Sequence, residues 1–171
     1  MTNLDSFTLV SKTHDRIIFR GALDTLQAEV LEAQILAQSL GEKWYCETLG
    51  EILAVLRNIM KAEVTGSGPE PFSLFNLGAD EIRRQSHHIK ETFHMSEIPV
   101  PDCSLGPLAV RINYLRTRTR EAEIAAIRAF EKEIDASRSC AGNDIVTALN
   151  RLSSAFWWLF CRYVNSAKTG R

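Results

Sequence analysis

The chain lacks long apolar runs, clustered cysteines and an excess of charge of either sign, and each lack excludes something. Its longest unbroken apolar run, Ala155 to Cys161, falls far short of the roughly 18 residues that a membrane-spanning helix needs. No membrane span is therefore expected, and the first ten residues, MTNLDSFTLV, do not put a basic segment before an apolar one as a secretory signal does. Four cysteines, Cys46, Cys103, Cys140 and Cys161, lie far apart with no Cys-x-x-Cys pair. That spacing argues against a disulfide framework and points to reduced thiols in a cytoplasmic protein. Lys and Arg number 20 against 21 Asp and Glu, for a net charge of -1. Without a basic surface, sequence-independent nucleic-acid binding is not expected, although a local anion site is permitted. What the chain does have is 171 residues with 45% hydrophobic content, enough for one globular domain over residues 1–171.

Apolar residues recur at three- and four-residue spacing with almost no alternating runs, so the fold is expected to be all-α. One helical stretch is expected near 24–40, with Leu26, Val30, Ala33 and Ala37 on one face and Gly41 behind it as a C-terminal cap. A second, near 43–64, stops at Gly66-Ser-Gly-Pro, and a third, near 79–93, opens with Asp80 and Glu81 at its positive end. The proline-rich stretch 98–107 is a loop whose last proline suits a first helical turn. A fourth helix then covers about 107–133, and a fifth begins at Asn143 as N-cap after the Ser/Arg/Gly stretch 137–142. Long helices joined by short connections lie antiparallel, which predicts a five-helix bundle.

Three polar features break the apolar pattern. In LRTRTREAEIAAIRAF, Arg116, Arg120 and Glu123 stand at i, i+4 and i+7 and project from one helix face. Two guanidiniums there suit phosphate, whose oxygens they pair bidentately; a solvated face of intrahelical ion pairs explains the same pattern. In ALNRLSSAF, Asn150, Arg151, Ser153 and Ser154 form a polar cluster beside the last apolar stripe, facing either a ligand or a neighbouring helix. In KTHDRIIFRGALDTLQAE, Lys12, Arg16 and Arg20 precede Asp24, expected in the first turn. His87, His88 and His94 with Cys103 fit no strong zinc spacing, so no metal ligands are assigned. Trp157, Trp158 and Phe160 read as core and subunit contact.

Together these segments resemble the corrinoid adenosyltransferases, most closely the ethanolamine-utilization type and less closely the propanediol-utilization type. FRGALDTLQAE at 19–29, LRTRTREAE at 115–123 and DIVTALNRLSS at 144–154 carry the match in order, with a weaker segment, EIRRQSH at 81–87, between them. The resemblance implies a trimeric five-helix bundle that binds ATP and the corrinoid near subunit interfaces. It places Arg116, Thr117, Arg120 and Glu123 at the nucleotide, Asn150, Arg151 and Ser153 in the second nucleotide motif, and Asp24 as partner of Arg116. Two departures from the family stand out. Lys12-Thr-His-Asp-Arg16 replaces the glycine-rich phosphate loop of the propanediol type, making Lys12, Arg16 and Arg20 the expected triphosphate contacts of the segment 1–20. The Cys-rich metal-binding extension of the long ethanolamine type has no counterpart in this sequence.

The reaction implied by the resemblance is transfer of the 5′-deoxyadenosyl group of ATP to cob(I)alamin, with triphosphate leaving. Such a reaction needs positioned cations and magnesium rather than a protein nucleophile. Phe93, Ile98 and Val100 are the apolar side chains expected to displace the lower axial ligand of cobalt. The expected partners are two further copies of the chain and a reductase that supplies cob(I)alamin. The expected setting is the cytoplasm, or a bacterial microcompartment, in ethanolamine catabolism. A non-catalytic corrinoid carrier and a purely structural helical module are the competing readings.

Overall fold

The computed structural model describes residues 1–4, 9–137 and 139–169. The described chain carries helices α1 (Asp15–Ser39), α2 (Lys43–Thr65), α3 (Ala79–His87), α4 (Ile89–Phe93), α5 (Pro107–Ala136) and α6 (Ala141–Thr169). Two short antiparallel strand pairs accompany them: β1 (Thr2–Asn3) with β2 (Leu9–Val10) ahead of α1, and β3 (Ser73–Leu74) with β4 (Leu77–Gly78) between α2 and α3. The all-α expectation holds, and the helix boundaries show what local sequence controls.

Helix α1 begins nine residues before the expected start. His14 is extended and its Nδ1 accepts the Arg16 amide at 3.2 Å, while Phe19 and Leu23 carry the apolar stripe of Leu26, Val30, Ala33 and Ala37 upstream. Asp24 therefore lies inside the helix, not in its first turn. Gly41 (φ 74°) and Gly66 (φ 69°) take the left-handed conformation that lets α1 and α2 end. The single helix expected near 79–93 is two. At His88 the turn tightens, its amide bonding the Gln85 carbonyl at 3.1 Å in an i to i−3 pattern. Pro107 opens α5 as expected, but α6 starts at Ala141, ahead of Asn143, whose amide donates to the Cys140 sulfur at 3.4 Å. Of the stretch 137–142, position 138 lies outside the described residues.

The longest helix, α5, packs along both α1 and α6, α1 packs along α2, and α3 lies across α6. Phe19, Leu23, Leu56, Ile112, Leu115 and Phe156 meet at zero exposure in this core, each worth roughly 1.5–3 kcal/mol of burial. The consequence for function is that the α5 and α6 stripes hold the two helices side by side. Their polar flanks are thereby brought together along one edge of the contact.

Candidate active site

Along that edge lies a cleft of about 490 Å³. Helix α5 contributes Arg116, Arg120 and Glu123 to it; α6 contributes Asn150, Ser153, Ser154 and Trp157; His87 closes it from the end of α3. Thus the two polar motifs, 27 residues apart at Glu123 and Asn150, meet through a hydrogen bond from Asn150 Nδ2 to Glu123 Oε1 at 3.0 Å.

Four of the five arginines of α5 sort by partner, and the fifth, Arg128, stands exposed near the far end of the helix. Arg111 pairs with Glu32 of α1 at 3.2 Å, and Arg118 pairs with Glu29 of α1 at 3.0 Å and with Glu121. Only the pair with Glu121 is intrahelical; the other two tie α5 to α1 across the helix contact. Arg116 instead donates through Nε to the neutral Asn113 Oδ1 at 3.2 Å, with its guanidinium carbon 5.2 Å from the centre of the Trp157 ring. Among the described residues, no ion pair or hydrogen bond engages Arg120. Burial, and then the positive charge of Arg120, lower the Arg116 pKa from its ordinary value, yet an arginine stays charged near neutral pH. Two guanidiniums facing one cleft without a carboxylate partner make an anion site. Beneath Arg116 lies Cys161, whose thiol is pushed up to about 12 chiefly by burial and is therefore held neutral.

Arg151 behaves differently from its neighbours in sequence. Its side chain, 12% exposed, leaves this cleft, donates from Nη1 to Asn150 Oδ1 at 3.0 Å and from Nη2 to Asp80 Oδ1 at 3.4 Å. It borders a separate cleft of about 640 Å³ shared with Glu70, Asp80, Glu81 and Asp144. Those carboxylates would repel a polyphosphate, so the smaller, cationic cleft suits an anion better despite its size. The hydroxyls of Ser153 and Ser154 return to the Asn150 carbonyl at 3.0 and 3.3 Å, so part of this polar cluster serves α6 itself.

The remaining sequence-derived residues lie apart from the cleft of their own chain. Asp24 is exposed on α1 and makes no ion pair with Arg116. Arg16 and Arg20 both bind Glu63, at 2.7 and 2.5 Å, and Arg16 also reaches Glu133 at 3.2 Å. This level of α5 is about 20 Å from Arg120 along the helix axis. Lys12 is exposed ahead of α1. Phe93 packs into an aromatic cluster, 5.0 Å from Trp158, whereas Ile98 and Val100 stand 51% and 79% exposed on the loop after α4. Among the described residues, no group of three His, Cys, Asp or Glu side chains is placed to hold a metal ion.

Two cleft residues escaped sequence reasoning in that role. Trp157, expected in the core, stands at i+7, i+4 and i+3 from Asn150, Ser153 and Ser154, so its place on the same face was readable from the helical period. His87 had no such signal, because its position depends on α3 crossing α6. Glu63 was equally hidden, one carboxylate in the apolar stripe of α2.

Residues 1–164 match the family model described as cobalamin adenosyltransferase. The corrinoid adenosyltransferase EutT of Salmonella typhimurium is 35% identical over 157 residues, and that of Escherichia coli is 33% identical over the same length. Each alignment covers 92% of this chain but 56% of the relative, so the chain spans little more than half the length of the curated relatives it matches. No solved structure matches it. Because the family match takes in every residue that lines the cationic cleft, and not one motif alone, the chain belongs to the cobalamin adenosyltransferase family.

Proposed function

We propose that the chain transfers the 5′-deoxyadenosyl group of ATP to cob(I)alamin, in the service of ethanolamine catabolism in the cytoplasm. The observation that supports this reading is the pair Arg116 and Arg120, which share one cleft and, among the described residues, form no ion pair with a carboxylate of their own chain. In the reaction, the electron pair of reduced cobalt forms a bond to C5′ of the ribose. The C5′–O bond breaks, and its electrons leave on triphosphate. No proton need move to or from the protein, so the work of the site is to hold ATP in line and to stabilise charge on the departing oxygens. Arg116 and Arg120 supply that charge, and Asn150 and Glu123 orient the nucleotide beside them.

Glu123 is the carboxylate of the cleft, and magnesium takes one or two carboxylates together with phosphate oxygens. The donor set therefore fits a magnesium ion carried on the nucleotide, which when bound would share the neutralisation of the triphosphate. Ile98 and Val100, exposed on their loop, with Phe93 in the aromatic cluster, would be the apolar side chains that meet the corrinoid and displace its lower axial ligand.

Assembly into a trimer completes the reading. Helices α1 and α5 expose Leu31, Ile35, Val110, Tyr114, Ile124 and Ile127, an apolar complement that suits burial against further copies of the chain. Asp24, exposed and unpaired with its own Arg116, would then meet the Arg116 of a neighbour, and Lys12 the triphosphate bound there. Arg16 and Arg20, held by Glu63, would shape that end of the site rather than bind phosphate first. A reductase supplies cob(I)alamin.

An anaerobic assay with ATP, magnesium and chemically reduced cobalamin tests the proposal by absorbance. The wild-type chain is expected to form adenosylcobalamin. Arg120→Ala should lose at least tenfold in kcat/KM, because removing one charge-assisted contact costs roughly 1.5–3 kcal/mol, while its helical circular dichroism stays intact. Corrinoid binding without any ATP-dependent spectral change would favour a carrier instead.

A further inference from the structure

Asparagine presents two different faces, an accepting oxygen and a donating amide nitrogen, and what it offers a ligand depends on what fixes its flip. Asn150 lies at the cationic cleft with both faces engaged. Arginine carries donors only, so Arg151 Nη1, 3.0 Å away, can bind only Asn150 Oδ1. This turns Nδ2 toward Glu123 Oε1 at 3.0 Å and leaves its second N–H free to donate. In the flipped orientation Asn150 Oδ1 would face the Glu123 carboxylate, two acceptors with no proton between them, and a second acceptor would face any anion in the cleft. Arg151 is itself fixed, with its side chain 12% exposed between Asn150 and Asp80 in the first turn of α3. The Asp80 end is 97% exposed and 3.4 Å long, so burial of the guanidinium, more than that ion pair, holds it in place.

We infer that Arg151 is a positioning residue that touches no substrate and acts through Asn150, locking the amide so that it donates both to Glu123 and to the bound nucleotide. The inference rests on the reading that ATP occupies this cleft. It separates two adjacent residues of one motif into a ligand contact and its support. It also connects the nucleotide site to α3, since Asp80–Arg151–Asn150–Glu123 is a continuous chain of polar contacts across three helices.

A double-mutant cycle tests it, using calorimetric titration of ATP with magnesium into the full chain, wild type and three variants: Asn150→Ala, Arg151→Met and the double variant. Asn150→Ala and Arg151→Met should each weaken ATP binding about tenfold, with the double variant no weaker than Asn150→Ala alone. In turnover, Arg151→Met should raise the KM for ATP and leave the KM for cob(I)alamin unchanged. Arg151→Lys keeps the charge and a donor nitrogen but loses the two-nitrogen fork. It should weaken binding by only a few fold, and not at all in the Asn150→Ala background, so the question stays decidable if Arg151→Met folds poorly. Wild-type affinity in both Arg151 variants, or losses that multiply with that of Asn150→Ala, would overturn the positioning role. Unchanged affinity in Asn150→Ala would instead overturn the reading that the nucleotide occupies the cleft, and the inference with it.

Discussion

Glu63 has a fully buried carboxylate that takes the guanidinium Nε–H of Arg16 on one oxygen and that of Arg20 on the other, while the Glu63 carbonyl accepts Arg16 Nη2 at 3.0 Å. Arg16 also lies 4.4 Å over the Phe130 ring. Removing one member of a buried charge cluster leaves the others desolvated and unpaired, a cost of roughly 3–5 kcal/mol. Glu63→Ala is therefore expected to lower the unfolding free energy by about 3 kcal/mol in urea denaturation; unchanged stability would mean that Arg16 and Arg20 find other partners at no cost. In the sequence, Arg16 and Arg20 look as available to phosphate as Arg116 and Arg120 do. All four are arginines near helix faces, and nothing local reveals that a carboxylate 43 residues downstream of Arg20 meets the first pair and none meets the second.

At the scale of elements, the contact between α5 and α6 places the site, and Gly142 lies where α6 meets the Phe130 side chain. A β-carbon there would come within 2.6 Å of the Phe130 side chain, and Phe130 in turn packs edge-on against Phe19 at 5.8 Å. Gly142→Ala should therefore destabilise the fold by roughly 1–3 kcal/mol through overpacking, as read by thermal or urea unfolding. ATP affinity should survive, because Asn150 lies about 12 Å further along α6. Helix identities follow from periodicity: the stripes of α1, α2, α5 and α6 were legible because each repeats over several turns. The boundaries were less so. The start of α1 depends on a histidine cap, and the break at His88 interrupts Ile82, Ser86 and Ile89, whose spacing still reads as one helix.

For the whole molecule, the proposal to test is assembly. Ile35 is 67% exposed and Ile124 52%, apolar area that contact with other copies would bury. In the trimer reading, Ile124→Asp should shift the sedimentation of the chain from trimer to monomer with its helix content retained. Adenosyl transfer should fall with it, because Asp24 and Lys12 would lose the neighbouring site they serve. A monomeric wild-type chain with full activity would refute that arrangement. No described helix is long and apolar enough to cross a membrane.

The sequence by itself determined the helical class, the faces that turn inward, and the three segments whose order carries the family resemblance, because helical period and motif spacing are local properties of the chain. Only the tertiary structure decided which arginines are spent on carboxylates and which are left for a ligand. It also decided that His87 and Trp157 join the cleft and that Arg151 leaves it. Charge neutralisation depends on distances between helices, and those distances exist only once α1, α3, α5 and α6 have packed.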